Sequence, residues 1–289
     1  MQITRSQLRD ALHAFDQTGI KDRSHRRLHR RVYHVQAPNH IWHLDTNHKL
    51  IRWRLIICGG VDGFSRFIVF LRCENNNRAD TILQCFLEAT EKYGTPLRVR
   101  TDKGLENIRV AEHMIDTRGE NSVVAGKSTH NQRIERLWRD VYDGVICYYY
   151  DLFHYMEDEN ILDPGNEVHL AALSYVFLEK INEKLDIWKT AWATHRIRTV
   201  RTSPLRLFTA GAINCPVEDP SMNMNESNNE LHGAEFDDSR PSIDPLDLHL
   251  GNECNQELGV NCPKNWSSSN FGIDIYLRAV DIIQRHIRL

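Results

Sequence analysis

Hydrophobic and polar positions follow two different periods along the middle of the chain. Three runs rich in Ile, Leu and Phe begin near Ile41, Arg52 and Phe67, and the short turns between them predict an antiparallel meander of three strands. Apolar residues at helical spacing then predict helices, with short strands at 97–101 and 122–125 among them. The predicted helices span residues 78–93, 106–117, 131–150 and 167–193. This order of elements, with strands of mixed direction, indicates an α/β domain of three layers.

The two ends of the chain depart from this pattern. Residues 4–18 have the capping box and the spacing of a short amphipathic helix, and a basic connector follows at 21–31. Beyond Cys215 the chain is rich in Asn, Ser, Asp and Glu up to Asn270, which is typical of a flexible linker. The final residues regain helical spacing, so they either dock on the domain or bind a partner. We therefore expect a basic helical extension at 1–36, a core domain at 37–212, a flexible linker at 213–270 and a short amphipathic segment at 271–289.

Composition excludes several classes of protein. The hydrophobic content of 41% and the charged content of 26% are ordinary for a globular domain. The longest apolar run is too short to span a membrane, and no apolar segment follows the basic start, so we expect neither a membrane partner nor a secretory signal. The predicted location is therefore nuclear or cytoplasmic. The seven cysteines are scattered and form no Cys-x-x-Cys pair, which indicates free thiols and argues against a structural zinc module.

The net charge of −3 hides an uneven distribution. Residues 1–54 carry eleven Lys and Arg against four Asp and Glu, a balance of +7, whereas residues 198–289 carry eight against thirteen, a balance of −5. A basic front end and an acidic tail fit a nucleic-acid contact at one end of the chain. A solvated charged surface explains the same numbers equally well.

Three carboxylates stand at suggestive places in the predicted elements. Asp45 lies inside the first strand, Asp102 follows a later strand, and Glu135 lies near the start of the long helix. Each acid alone is usually a cap or a solvated charge. Asp45 is different because its neighbours Trp42 and Leu44 are apolar, and a buried carboxylate without a partner is unfavourable. A hard cation such as Mg²⁺ or Mn²⁺, which prefers oxygen ligands, would remove that penalty.

The segments that carry these acids resemble the successive signatures of the integrase core domain, the catalytic domain of retroviral and retrotransposon integrases and of related DDE transposases. The matching segments are Trp42–Asp45, Val61–Arg66, Thr101–Glu106, Asn131–Arg136 and, at the close of the domain, Thr202–Leu205. The resemblance spans about residues 30–210. Five motifs in the right order make it highly specific.

The resemblance implies an RNase H-like three-layer domain, in which a mixed five-stranded sheet is flanked by helices. The periodicity and composition of the two ends add a helical N-terminal extension and a largely irregular acidic C-terminal tail. The resemblance also implies DNA integration, a polynucleotidyl transfer with endonuclease activity on phosphodiester bonds of DNA, as in a transposable element. Asp45, Asp102 and Glu135 would be the catalytic residues and would bind two Mg²⁺ (or Mn²⁺) ions. DNA is the implied partner, and a homo-oligomer is expected when the chain assembles on DNA.

Candidate nucleic-acid contacts lie around the triad and in the basic front end. They are Arg139, Asn131, Arg136, Lys103, Arg30 and Arg31. Two of them have simpler explanations, because Arg139 can pair with Glu135 one helical turn away and Asn131 can be an N-cap. The chain also departs from the family pattern, since Gln132 stands where a glycine usually precedes the catalytic Glu. No His-His-Cys-Cys module precedes the core in this sequence.

Three functions fit this sequence. The first is an active integrase or transposase, and the second is a host-recruited, integrase-derived nucleic-acid-binding protein without catalytic activity. The third is an RNase H-like nuclease that only hydrolyses. The complete triad favours activity, whereas the acidic tail and the lack of a zinc module fit recruitment. The motif settings of Asp62 and Glu135 favour the integrase branch over the hydrolase.

Overall fold

The computed structural model describes residues 4, 14, 35–126, 131–215, 242–246, 248 and 250–287. The predicted N-terminal helix and the basic connector, including Arg30 and Arg31, lie outside these ranges. Contacts divide the chain into Met1–His34 and Val35–Leu289, and the second unit is the one described below.

Five strands form one mixed sheet. They are β1 (Ile41–Asn47), β2 (Ile56–Asp62), β3 (Ile68–Glu74), β4 (Arg98–Thr101) and β5 (Val123–Ala125). The order across the sheet is β3-β2-β1-β4-β5. The first three strands pair antiparallel through short turns, whereas β4 and β5 join β1 in parallel after helical crossovers. The predicted mixed five-stranded sheet flanked by helices is confirmed.

Helices cover both faces of this sheet. They are α1 (Ala79–Tyr93), α2 (Ile108–Arg118), α3 (Gln132–Val141), α4 (Cys147–Asp158), α5 (Glu167–Thr194), α6 (Pro204–Asn214), α7 (Asn252–Asn261) and α8 (Ile273–Ile287). A π-helical turn at Tyr142–Ile146 joins α3 to α4, so the helix predicted at 131–150 continues to Asp158. No helix within the described ranges is long and apolar enough to cross a membrane.

Alternate side chains of the central strands pack into two separate cores, because successive residues of a strand point to opposite faces of a sheet. On one face, residues of β1 and β2 pack with α1 and α2, as in the cluster of Trp42, Leu44, Phe86 and Met114. On the other face, the sheet packs with α3, α4, α5 and α8, as in the cluster of Trp138, Phe153, Phe177 and Tyr276. The predicted three layers are therefore present.

The C-terminal part differs from the flexible linker expected through residue 270. Helix α7 lies inside that segment, and its Cys254 and Leu258 are buried in the larger core cluster. The expectation is wrong for α7 because a polar composition conceals a narrow buried stripe of two residues one turn apart. Helix α8 is amphipathic as predicted, and it docks on the domain with Tyr276 and Ile283 fully buried.

The edge strand β3 is protected by a side chain of helix α5. The amide N–H of Cys73 donates to Asn182 Oδ1 at 2.8 Å, and Asn182 Nδ2 donates to the Cys73 carbonyl at 3.0 Å. A strand at the edge of a sheet otherwise presents unpaired backbone groups. The Asn182 amide therefore replaces one peptide unit of a missing neighbouring strand.

Replacing Asn182 with Ala should leave these two backbone groups of Cys73 without their partner. We expect the free energy of unfolding, measured by urea titration, to fall by about 1–3 kcal/mol, the usual range for a buried polar group left unsatisfied. Lys184→Ala, an exposed change on the same helix, is the matched control and should shift stability by no more than about 0.5 kcal/mol. Equal losses in the two variants would show that Asn182 does not protect the edge.

Candidate active site

Two of the three predicted carboxylates meet at one edge of the sheet. Strand β4 pairs in parallel with β1, His43 standing opposite Arg100, so both strands end on the same side. Asp45 lies near the end of β1 and Asp102 directly after β4, and their carboxyl groups are within hydrogen-bonding distance. Burial and the charge of Asp102 raise the pKa of the Asp45 carboxyl well above its usual range. In the absence of a cation, this pair therefore favours a shared proton.

Each carboxyl of the pair is held by donors from the surrounding elements. Asp102 Oδ1 accepts from the backbone N–H of Gly104 and from Nδ2 of Asn107, both at 3.1 Å. Asp45 Oδ2 accepts from the indole Nε1 of Trp138 at 2.9 Å. These bonds fix the orientation of both groups before any ligand arrives.

Asn131 anchors the start of helix α3 to strand β1. Its Nδ2 donates to the Leu44 carbonyl at 3.0 Å, so its Oδ1 accepts from Nδ1–H of His43 at 2.6 Å. Burial lowers the pKa of His43 to about 4, and the imidazole is neutral at neutral pH. The Asn131 side chain is buried and makes no capping hydrogen bond. Asn131 thus stands at the N-cap position of α3, but its side chain anchors the helix to β1 and does not cap it, and its contact with DNA stays a prediction.

Glu135 lies on the face of helix α3 that contacts β1. Asn131 and Trp138 are four residues before it and three after it, which places all three on one side of a helix. Both neighbours bond to β1, at Leu44 and Asp45 respectively. The Glu135 side chain is itself exposed.

The described residues do not bring three ligating side chains together. Within the described ranges, no group of three or more His, Cys, Asp and Glu side chains is placed to hold a metal ion. Asp45 and Asp102 form a pair, and the role of Glu135 as third ligand stays a prediction.

The Trp138 indole reaches Asp45 because strand β2 has a glycine beneath it. Gly59 stands opposite Asp45 in the β1–β2 register, and a Cβ built at Gly59 would lie 2.8 Å from Cη2 of Trp138. Trp138 stands on the apolar face of the helix predicted at 131–150. It is buried, and it also orients a predicted catalytic residue. The signal available in the sequence was the Gly59-Gly60 pair inside a strand, which marks a close approach.

Sequence reasoning also gave no role to Glu106, a third acid close to the pair. Its carboxylate is 5% exposed, and Oε1 accepts from the hydroxyl of Thr46 at 3.0 Å. The side chain folds back over Gly104, where a Cβ would overlap the carboxyl group. Because Thr46 follows Asp45 and Gly104 donates to Asp102, Glu106 ties together the two segments that carry the pair.

The exposed cations of helix α3 border this edge of the sheet. Arg136 and Arg139 are exposed, and Lys103 is half-buried in the turn after Asp102. The predicted alternative for Arg139 was an ion pair with Glu135, and no such pair forms among the described residues. Contacts of these three side chains with DNA stay predictions.

The residues at this edge fit a divalent cation. Asp45 and Asp102 supply carboxylate oxygens, which Mg²⁺ and Mn²⁺ prefer. Their close contact is unfavourable when both are ionised, and a cation between them would remove the repulsion. The Oδ1 atom of Asn107, beside Asp102, is buried without a hydrogen-bond partner in the described part of the chain and adds a further oxygen.

The fold and this edge define an α/β domain with acidic side chains gathered where adjacent parallel strands end. A family model of the integrase core domain matches residues 32–221, about two thirds of the chain, and the chain therefore belongs to the integrase core domain family. No curated protein sequence matches it.

Several solved integrases are similar to the chain. The HTLV-2 integrase catalytic core domain in complex with magnesium is 18% identical, with a TM-score of 0.39 over 61% of this chain and 99% of that one. The catalytic core domain of BIV integrase is 16% identical, with a TM-score of 0.43 over 61% and 97%. A simian T-cell lymphotropic virus intasome in complex with PP2A regulatory subunit B56 gamma is 15% identical, with a TM-score of 0.42 over 64% and 58%. The family assignment rests on the family model.

Gly59→Ala should force the Trp138 ring away from strand β2. We expect a loss of about 1–3 kcal/mol in the free energy of unfolding, as for overpacked cores, measured by urea titration. Trp138→Phe shortens the ring, so the double variant should lose less than the sum of the two single losses. Gly259→Ala, in helix α7 with open space around it, is the control and should be neutral or stabilising. Additive losses would contradict a direct contact between Gly59 and Trp138.

Proposed function

We propose that the chain is a DNA integrase or transposase that cuts and joins phosphodiester bonds. Asp45, Asp102 and Glu135 are its catalytic and metal-binding triad. The observation that supports this proposal is the contact between the carboxyls of the half-buried Asp45 and the buried Asp102 where β1 and β4 end. Membership of the integrase core domain family supports polynucleotidyl transfer in general.

Two Mg²⁺ or Mn²⁺ ions, when bound, supply Lewis-acid activation of an attacking oxygen and stabilisation of negative charge at phosphorus. Asp45 and Asp102 would hold them together with Glu135. The chain contributes fixed ligand orientation, since Trp138 holds one oxygen of Asp45 and Gly104 holds one oxygen of Asp102. No Ser or Tyr nucleophile is needed, because water or a DNA 3′-hydroxyl attacks the phosphodiester directly.

Glu135 is assigned to the triad on its place in helix α3. Its two neighbours on the helix face are pinned to Leu44 and Asp45, so the Glu135 side chain starts from a point above the end of β1. We propose that the exposed Glu135 side chain turns toward Asp45 and completes the ligand set when the cations and DNA are bound, since exposed side chains change rotamer quickly.

DNA is the proposed partner, and cations near the triad would contact its phosphates. Arg136 and Arg139 are exposed on helix α3, and Lys103 follows Asp102 in the turn. Arg30 and Arg31 in the basic front end are proposed as further contacts. Phosphate contacts of this kind position the duplex and carry no sequence information. A homo-oligomer assembled on DNA and a nuclear or cytoplasmic location stay predictions.

One observation favours a second candidate function. Glu135 is exposed, and within the described ranges no three ligating side chains are gathered for a metal ion. In an integrase-derived protein that binds nucleic acid without catalysis, Glu135 would stay exposed and the ligand set would stay incomplete even when Mg²⁺ and DNA are present. The two candidates differ in whether Mg²⁺ binds and whether DNA is cut.

The variant Asp102→Asn distinguishes the catalytic from the non-catalytic candidate by two measurements. The variant should lose strand cutting and joining on branched or end-mimicking DNA by at least about 100-fold, because a metal ligand and its charge are gone. Its thermal midpoint in EDTA should equal or exceed that of the wild type, since the change removes a negative charge from a buried pair. Asn retains an oxygen for the bonds from Gly104 and Asn107, so the fold is preserved.

Added Mg²⁺ should raise the thermal midpoint of the wild type and leave that of Asp102→Asn unchanged, because a ligand stabilises the state that binds it. Asp143→Asn, a change at an exposed carboxylate beyond helix α3, is the control and should behave as the wild type in both measurements. If the wild type neither gains stability with Mg²⁺ or Mn²⁺ nor acts on any DNA, the non-catalytic candidate is correct.

Glu135→Gln tests the third ligand separately. If Glu135 joins the site only when the cations bind, the variant should retain the stability of the wild type in EDTA, because an exposed carboxylate contributes little to the fold. Its Mg²⁺-dependent activity should nevertheless fall by at least about 100-fold. Full activity of Glu135→Gln, measured with the same DNA, would remove Glu135 from the triad.

A further inference from the structure

Further cations lie beside helix α3, on the turn after β2 and on the segment after helix α5. Arg66 ends the turn between β2 and β3, and its backbone has the left-handed conformation, with φ of 62°. The turn is held by Asp62, whose carboxylate accepts from the backbone N–H and the hydroxyl of Ser65 at 2.7 and 2.6 Å. The Trp192 indole donates to the Arg66 carbonyl at 3.0 Å. These bonds explain how an uncommon backbone conformation is maintained at a non-glycine residue.

The side chain of Arg66 lies near two cations of helix α3. Burial lowers the pKa of its guanidinium, and the charges of Arg133 and Arg136 on helix α3 lower it further. On its other side, Arg66 Nη2 lies 3.5 Å from the hydroxyl of Thr199. Arg66 thus bridges helix α3 and the segment that follows helix α5.

That segment is a tight hairpin that presents three more arginines. Ile197 and Thr202 form an antiparallel bridge, with Ile197 N–H donating to the Thr202 carbonyl at 2.9 Å. Arg196 Nε donates to the Arg201 carbonyl at 3.2 Å, which ties the two ends of the hairpin together. Arg196, Arg198 and Arg201 are exposed. The hairpin is therefore an ordered support for three cations and not a loose basic tail.

We call the group formed by Arg66, Arg136, Arg196, Arg198 and Arg201 the arginine surface. Within the described ranges, none of these five side chains forms an ion pair with a carboxylate. By contrast, arginines elsewhere in the domain, such as Arg52, Arg72 and Arg285, each pair with Glu. Exposed cations that form no ion pair attract the phosphates of a polyanion such as DNA.

We infer that the arginine surface binds the phosphate backbone of duplex DNA. The bound phosphates belong to the part of the duplex that lies next to the base pairs at the triad. This inference rests on the proposed function and adds the hairpin at 197–202 and the turn at Arg66 to the DNA interface. Arg136 belongs both to this surface and to helix α3, so the surface continues from the edge where Asp45 lies. The guanidinium groups lie on three separate elements, so one small anion cannot contact all of them. A rigid row of phosphates, as in duplex DNA, is the kind of ligand that contacts several at once.

The test replaces the three hairpin arginines by Gln, in Arg196→Gln, Arg198→Gln and Arg201→Gln combined, in the full chain. Fluorescence anisotropy in EDTA with a labelled 30-base-pair duplex measures Kd between 50 and 300 mM salt. Each lost phosphate contact reduces the slope of log K against log salt by about 0.9, so three contacts reduce it by about 2.7 and weaken binding on the order of 100-fold at 0.15 M salt. The matching Arg→Lys triple variant keeps the charges and should keep most of the slope.

A control triple variant removes the same number of positive charges from helices α2, α5 and α8. It combines Arg109→Gln, Lys184→Gln and Arg278→Gln, all at exposed positions. The control should bind DNA with the slope of the wild type. Urea titration should give the control variant an unfolding midpoint close to that of the wild type. The hairpin variant should unfold cooperatively at a slightly lower midpoint, because it loses the bond from Arg196 Nε to the Arg201 carbonyl.

Two outcomes would overturn the inference. One is a hairpin variant that binds the duplex with the Kd and the salt slope of the wild type. The other is a hairpin variant that still binds the duplex as the wild type does but no longer binds vesicles of anionic phospholipid. Because the measurement needs no metal and no catalysis, Asp102→Asn should bind as the wild type does. Failure of the triad proposal would therefore leave this result standing, and failure of this inference would leave the triad untouched.

Discussion

Parallel pairing between strands β1 and β4 brings two carboxyl groups into contact in a poorly solvated place. Asp45 and Asp102 are far apart in sequence, and neither has a reason to be near the other apart from this pairing. Their mutual repulsion destabilises the domain unless a proton or a cation lies between them. Much of the local structure limits that strain, since the Gly104 amide and the Trp138 indole each donate to one of the two groups. The two carboxyl groups are thus held in fixed orientations by the chain itself.

Helix α3 is positioned by contacts on one of its faces, and this determines where its functional side chains lie. Asn131 bonds to β1 at one end and Trp138 at the other, which leaves Glu135 between two fixed points. The close approach depends on the absence of a side chain at Gly59 on the neighbouring strand. The helix then turns its exposed cations toward solvent on the side where Arg66 lies. One packing contact therefore aligns both the carboxylate edge and the basic surface beside it.

Periodicity predicted the sheet and most of the helices because each has a wide apolar face. Helix α7 escaped prediction because only Cys254 and Leu258 face the core, and its other side chains resemble a linker. The acids were predictable from their motifs, but the partners of those acids were not. The bond from Trp138 to Asp45 and that from Thr46 to Glu106 join positions distant in sequence, and apolar or polar type alone does not reveal such pairings. The bonds from the buried Asn131 side chain to His43 and Leu44 likewise join distant positions that the sequence pattern does not connect.

The amide of Asn182 on strand β3 has a consequence for how copies of this domain could associate. Sheets of separate subunits often merge by adding strand to strand, which requires open donors and acceptors along an outer strand. Here the middle of that outer strand already has its donor and acceptor satisfied at Cys73. The opposite outer strand, β5, has only three residues and offers little length for pairing. A continuous intersubunit sheet is therefore disfavoured at these two strands.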